Sequence, residues 1–321
     1  MNTPLVSIGI PTFNRAESLR IAIESVIKQD YKNIEIVICD NGSTDATESI
    51  CRSYSKSQNN INYYRSVNNQ GALKNFQSAI EKCNGEYFMW LADDDFIDTN
   101  YVTECAKILM TDDEMAVVGG CALFFGGKND TNGYNFSIVS KNALIRMCSY
   151  YWGVYDNSIF YGLMRSEIAK KNNLKPSMVS DWLFIAGMAF QGKILTTEQT
   201  VIHRQSGGAS MSLAKMVEMM GISKINIYFS GFSTAVSCVK DILGENKIYN
   251  QDPLIRRLIY SLVIFCVILI RHGILNTVLR LLSRILKVLL GHNTFEKFKL
   301  NIKSQVFKSS YIITPKEITK F

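Results

Sequence analysis

The sequence predicts an α/β fold, a mainly parallel sheet flanked by helices, with a helical segment at the C-terminal end. Three observations predict it. Short apolar runs alternate with helix-period stretches through the first ninety residues. The apolar runs at 5–10, 34–39 and 86–91 each lead into polar, turn-prone sequence. Past residue 253 the chain becomes basic and strongly apolar at once. Apolar residues are 47% of the 321 and charged residues 20%, which supports a packed core and excludes wholesale disorder. The length fits one large domain with an appendage.

Leu5 to Ile10 reads as a strand. Residues 15–29 follow with Leu19, Ala22, Ile23, Val26 and Ile27 at helical spacing. Asn14 is placed to cap that helix, with Glu17 at the capping-box offset. Ile34 to Cys39 is a second strand, and 44–57 a helix behind a Ser43 cap. Ile61–Arg65 is a third strand, 71–83 a third helix, and Glu86 to Leu91 a fourth strand. Alternation of this kind favours crossover connections, and ligands of such sheets bind beyond the carboxyl ends of the strands. The tips 11–15, 40–45 and 92–95 are therefore expected to converge on one cleft. Further on, Val117–Phe125 and Gly133–Val139 read as strands and Trp182–Phe190 as a buried helix. The expected divisions are a domain over 1–212, a helical connector over 213–252, and basic amphipathic helices with a tail over 253–321.

Charge is unevenly spread. The chain carries a net charge of +7, but residues 253–321 hold twelve Lys and Arg against two acidic residues. A basic tail on a near-neutral body argues against a nucleic-acid binder and for an anionic phospholipid surface. Leu258 to Ile270 is an uncharged run of 13 residues, short of the roughly 17–25 that a span needs. Over 273–290, Arg280, Arg284 and Lys287 lie opposite a leucine-rich face. An apolar helix beside a basic amphipathic one is the pattern of an interfacial membrane anchor at 254–290, and packed helices of a small domain are the alternative. The eight cysteines form no CxxC pair, and no signal peptide opens the sequence, so reduced thiols and a cytoplasmic location are expected.

The triplet Asp93, Asp94 and Asp95 ends a strand, and adjacent carboxylates repel. A divalent cation offsets that repulsion. Hard oxygen ligands suit Mg²⁺ or Mn²⁺, which sit between one or two carboxylates and substrate phosphates. A solvated turn capping a helix near Thr99 is the plainer reading. Arg15 and Lys74 supply cations for phosphates. Asp40 and Asn41 supply groups for a base or ribose, although Asp-Asn-Gly is also an ordinary turn.

Taken together, Val6-Ser-Ile-Gly-Ile-Pro-Thr-Phe-Asn-Arg15, Gln29-Asp-Tyr31, Ile36-Val-Ile-Cys-Asp-Asn-Gly-Ser-Thr-Asp45, Asn69-Gln-Gly71 with Lys74, and Gly85-Glu-Tyr-Phe-Met-Trp-Leu-Ala-Asp-Asp-Asp95 resemble the family 2 glycosyltransferases over residues 4–212. The resemblance implies a GT-A fold and roles for individual positions. Pro11, Thr12, Phe13 and Arg15 would line the nucleotide pocket. Asp40 and Asn41 would hold the base, usually uracil, with Asn41 standing where many relatives have a second aspartate. Asn69, Lys74 and Asp93 would also contact the nucleotide. Asp94 would hold Mn²⁺ or Mg²⁺, and Ala92 stands where the family's first metal-motif aspartate is common. Asp95 would face the donor sugar or cap the next helix. Asp181 matches the general base of an inverting transferase, with Ser180 where glutamate is frequent. Trp182 offers a flat face to a sugar ring. His203 and Arg204 lie in a stretch, 201–212, that resembles the loop closing over the diphosphate.

The resemblance thus implies single-sugar transfer from a nucleotide-diphosphate sugar, a UDP-sugar by preference. The acceptor would be a saccharide hydroxyl on a polyprenyl-diphosphate lipid, at the inner face of the cell membrane, in O-antigen, capsule or other surface-glycan assembly. The processive Gln-X-X-Arg-Trp signature is absent, since Trp occurs only at 90, 152 and 182. Two rivals stand beside this reading. One is a catalytically silent membrane scaffold. The other is a sugar-phosphate nucleotidyltransferase, which would carry a glycine-rich loop where Pro11–Arg15 has none.

Overall fold

The computed structural model describes residues 3–127, 129–206 and 230–274. The chain divides into two compact units, 1–268 and 269–321. In the second, the described part is one wide helical turn, Leu269–Ile274. The expected loop at 207–212, the first part of the connector at 213–229 and the basic helix and tail at 275–321 lie outside the described residues.

The first unit opens with β1 (Val6–Thr12), α1 (Ala16–Ile27), β2 (Ile34–Asp40), α2 (Thr47–Ser57), β3 (Ile61–Arg65), α3 (Ala72–Glu81) and β4 (Tyr87–Trp90). These strands pair in parallel in the order β3-β2-β1-β4. Every residue of β1, β2 and β4 is buried, as continuous apolar strands covered by helices on both faces must be. There follow β5 (Phe96–Ile97), α4 (Tyr101–Thr111), β6 (Met115–Phe125), β7 (Thr131–Asn132), β8 (Ser137–Ile138), α5 (Ala143–Gly153), β9 (Leu163–Arg165), α6 (Ser166–Lys171), α7 (Ser180–Gln191) and β10 (Lys193–Gln205). Two further helices, α8 (Ser230–Lys240) and α9 (Leu254–Ile268), close the unit.

The sheet is mixed rather than mainly parallel. β9 lies antiparallel between β4 and β6, and β5 is antiparallel on β10. The physical reason is connection length: β9 has three residues and arrives from a turn, Ser158–Tyr161, so no crossover helix forces it parallel. The expected strand over 133–139 shrinks to the two-residue β8, and the stretch from Val201 to Gln205 is the end of a strand, not a loop.

The helix starts also differ from expectation. Neither Asn14 nor Ser43 caps its own helix. Asn14 sits at φ +53° and accepts from Thr44 N, while Ser43 Oγ accepts from Asn14 N at 2.9 Å. Asp45 receives Ala16 N at 3.2 Å and Thr47 N at 3.0 Å, serving the first turns of α1 and α2 together. The loops after β1 and β2 are thereby stitched into one platform. Gln29 performs a similar service: its Nε2 reaches Asp98 O at 2.7 Å and its Oε1 accepts Val102 N in the first turn of α4.

Candidate active site

The three strand tips meet. Asn41 N donates to Thr12 O at 3.0 Å, Asn75 Nδ2 bonds both Thr12 O and Cys39 O, and Arg15 reaches across to Asp94 at 3.2 Å. Gly42 makes the turn after β2 at φ +77°, where an added Cβ would lie 2.9 Å from the backbone of Asn68.

On the β2 side of the platform, Asp40 and Asn41 are 1% and 2% exposed. Asp40 accepts from Ser43 N and from the Tyr63 hydroxyl, and Arg65 stands 3.4 Å away. Asn41 donates to Asn69 and accepts from Gln70 N, so the Asn41 amide uses both of its faces to hold the 69–71 turn. A carboxylate at 41 lacks the donor for Asn69. Pro11 and Thr12 are buried, Phe13 is 38% exposed, and Lys74 is exposed on the first turn of α3.

The carboxylate triplet is divided in function by its partners. Asp93 is pushed up to about 6, mainly by burial, with the Asp94 charge adding and the Thr12 hydroxyl and Phe13 N–H opposing. Asp94 keeps its pair with Arg15. Asp95 is 3% exposed and turned inward: Arg204 Nε and Gln205 N donate to its two oxygens at 3.2 and 2.9 Å. It does not cap the following helix, whose N-cap position is Asn100. Burial pushes Asp95 to about 6 as well, against the pull of Arg204.

Arg204 is packed, not extended. Its guanidinium lies over the rings of Tyr161 and Phe124 at 4.6 and 5.2 Å and donates to Ser158 Oγ at 3.0 Å. His203 is engaged elsewhere, 2.9 Å from Asp98 and stacked on Phe96 with ring centroids 4.4 Å apart.

Asp181 opens α7. The pKa of the Tyr161 phenol is raised, first by burial, with Arg204 opposing and the charges of Asp95, Asp181 and Asp94 adding. The carboxylate of Asp181 is raised above its ordinary value by burial, opposed first by a 2.9 Å hydrogen bond from Asn157 Nδ2. An aromatic cluster fixes the helix that carries it. Trp90, just before the triplet, stacks on Phe160 at 4.6 Å and meets Phe184 edge-on at 5.0 Å, one turn along α7 from Asp181. Trp182, partly buried beside Asp181, has partners of its own.

Among the described residues no group of three or more His, Cys, Asp or Glu side chains is arranged to hold a metal. The residues present fit a cation of a different kind. Asp93 and Asp94 offer two crowded oxygen ligands, both half-buried, and Asp93 is uncomfortable as an anion. That is a donor set for Mg²⁺ or Mn²⁺ shared with substrate phosphates, not an all-protein cage.

Sequence reasoning missed Asn157, Ser158 and Tyr161. Their one signal is a polar Asp156-Asn157-Ser158 island inside an aromatic stretch.

The glycosyl transferase family 2 model matches residues 7–172. Glycosyltransferase GlyA of Streptococcus pneumoniae is 31% identical over 179 residues, 55% of this chain and 23% of the relative. A GalNAc(5)-diNAcBac-PP-undecaprenol beta-1,3-glucosyltransferase of Campylobacter jejuni is 37% identical over 93 residues, 29% of this chain and 30% of the relative. The chain thus spans about a third or less of the curated relatives' length. Among solved structures, residues 1–349 of S. aureus TarS in complex with UDP-GlcNAc superpose with a TM-score of 0.56 at 17% identity, covering 79% of this chain and 72% of that one. The mannosyltransferase PcManGT of Pyrobaculum calidifontis, in complex with GDP-Man and Mn²⁺, gives 0.51 at 13% identity, covering 93% and 84%. The two structures show the fold, which is GT-A-like. With more than half of its residues matched by the family model, the chain belongs to glycosyltransferase family 2.

Proposed function

We propose that the protein is an inverting glycosyltransferase that moves one sugar from a nucleotide-diphosphate sugar, a UDP-sugar by preference, to a hydroxyl of a lipid-linked saccharide in surface-glycan assembly. The observation that supports the reading is a run of hydrogen bonds from the triplet to Asp181: Asp95 pairs with Arg204, Arg204 donates to Ser158, and the adjacent Asn157 donates to Asp181. A UDP-sugar is bound in the TarS structure, and the Campylobacter relative acts on an undecaprenyl-diphosphate saccharide; both support the substrate classes.

In this reading Pro11, Thr12, Phe13, Arg15 and Asp93 line the nucleotide. Asp40, Asn41 and Asn69 hold the base end, and Lys74 serves the phosphates. Asp94, with Asp93 beside it, holds Mg²⁺ or Mn²⁺, which when bound supplies positive charge to the departing diphosphate. Asp181 takes the proton from the acceptor hydroxyl. The freed oxygen bonds to the anomeric carbon from the face opposite the leaving group. The carbon–oxygen bond to the diphosphate breaks, and the nucleoside diphosphate leaves with the electron pair. Arg204 and Asp95 keep the strand ends in register rather than touching sugar. Helix α9 and the basic sequence beyond it rest on an anionic membrane at its cytoplasmic face, where a lipid-linked acceptor is met.

Asp181→Asn tests the assignment. The variant is expected to lose more than about a thousandfold in transfer, measured with membrane extracts as acceptor and a panel of UDP-, dTDP- and GDP-sugars, while calorimetric UDP affinity with Mn²⁺ stays within twofold. Retained turnover overturns the base assignment. Absence of cation-dependent nucleotide binding in the wild type would favour the silent scaffold.

A further inference from the structure

We infer that Asn157, locked in place by Tyr150, is a positioning residue that orients the Asp181 carboxylate. The inference rests on the proposed base role of Asp181. Tyr150 is fully buried on α5, and its hydroxyl donates to Asn157 Oδ1 at 2.9 Å. An ionised carboxylate only accepts, so Asp181 decides which end of the amide is which, and the amide oxygen is left to accept from Tyr150. The amide nitrogen is then the end that faces Asp181, and it donates to Oδ2 at 2.9 Å. Asn157 itself is 9% exposed, so water competes little for either bond. Among the described residues Asn157 is the one side chain hydrogen-bonded to the Asp181 carboxylate, with the backbone N–H groups of Trp182 and Asp181 beside it.

A carboxylate at the mouth of a helix turns about χ2, and a turned base misses its proton. Here rotation is blocked at one oxygen by an amide that is blocked in turn. The next residue serves the other half of the site: Ser158 Oγ accepts from Arg204, the partner of Asp95. One short loop therefore braces both the triplet and Asp181.

The hydrogen bond also acts on proton affinity. Burial raises the Asp181 pKa, and Asn157 is the strongest opposing influence. The charged and titratable groups that face Asp181 are Tyr150 from α5, Tyr161 from the turn before β9, and Arg204 from β10. Arg204 and the backbone N–H groups of Trp182 and Asp181 also favour the anion, each less than the Asn157 donor does.

The test is Asn157→Leu, with Tyr150→Phe as a milder partner that keeps the shape of the core. The Asp181 carboxyl is followed by carbon NMR of protein labelled at aspartate Cγ, its resonance assigned by difference from Asp181→Asn. The expected result is a titration midpoint about one pH unit higher in Asn157→Leu and a smaller upward move in Tyr150→Phe. Transfer is expected to show a kcat about tenfold or more lower on the acid side of the wild-type profile, the loss shrinking as pH rises, with donor KM within twofold. A midpoint unmoved in Asn157→Leu overturns the inference; should that variant fail to fold, an unmoved midpoint in Tyr150→Phe does so. Turnover retained in Asp181→Asn would instead defeat the base assignment and leave the measured coupling between Asn157 and Asp181 intact.

Discussion

Asp93 carries an electrostatic conflict within the fold. Its pKa is raised from the ordinary carboxylate value to about 6 by burial, so the folded protein binds a proton more tightly than the unfolded chain does. Stability from this group is then fully present below about pH 4 and is lost as pH rises through about 6. Asp93→Asn removes the half-buried charge and keeps the shape. The variant is expected to be more stable than wild type by about 1–3 kcal/mol at pH 7.5 and no more stable near pH 4, measured by urea unfolding at both values. The same variant is expected to bind UDP and Mn²⁺ more weakly, because the charge that destabilises the fold is the one a cation would use. Equal unfolding curves at pH 7.5 would show that Asp93 is better solvated than its surroundings indicate. The triplet was legible in the sequence because three adjacent carboxylates at a strand end are rare. The division of labour among them was not, since it depends on Arg204, which is 109 positions from Asp95 in the chain.

Among the elements, the seam between β4 and α7 is what relates Asp181 to the triplet. Trp90 is fully buried, gives its indole N–H to Phe76 O at 3.0 Å, and touches Phe76, Phe88, Phe160 and Phe184. Phe184→Ala would open a cavity on that seam and is expected to cost about 3–5 kcal/mol of stability. At temperatures where the variant remains folded, transfer should fall by at least tenfold while UDP affinity changes little, because α7 moves and the nucleotide platform does not. Transfer activity that merely tracks the folded fraction would mean that α7 is held by other contacts. Local pattern made much of this fold readable: β1, β2, β3, α3 and α7 stand within a few residues of where apolar runs and helical spacing put them. What pattern did not disclose is whatever is settled by distant partners. Asn14 and Ser43 look like caps for the helices beside them, yet they bond to each other's loops, and Asp45 does the capping for both. β9 is too short to have a period, and its antiparallel placement follows from neighbours β4 and β6.

For the whole molecule, the outer face of α9 is a stripe of exposed apolar side chains. Ile255, Leu258, Ile259 and Leu262 are 46–66% exposed there, at spacings that place them along one side of the helix, while Ile264 and Ile268 are fully buried on the other. Among the described residues no helix is long and apolar enough to cross a membrane. Arg256 and Arg257 flank the apolar stripe, and the sequence has no acidic residue between Asp252 and Glu296. A second protein surface would bury the stripe equally well, but it would not select for this charge balance, whereas an anionic bilayer rewards both features. Half-buried Ile and Leu side chains each contribute on the order of 1 kcal/mol on transfer from water, and juxtamembrane basic residues add about as much near an anionic surface. Ile255→Glu with Leu262→Glu removes two apolar contributions and adds two repelling charges, so partition onto vesicles of phosphatidylglycerol and phosphatidylcholine should weaken by more than about tenfold. Wild-type binding should also fall steeply between 0.05 and 0.5 M salt and be weak on phosphatidylcholine alone, both read by co-sedimentation. Because the two side chains point away from the core, thermal unfolding of the double variant should match wild type within about 2 °C. Co-sedimentation that survives the double substitution would move the membrane contact off α9. Wild-type protein that ignores anionic vesicles yet forms dimers broken by the same substitutions would make the stripe a contact between copies of the chain.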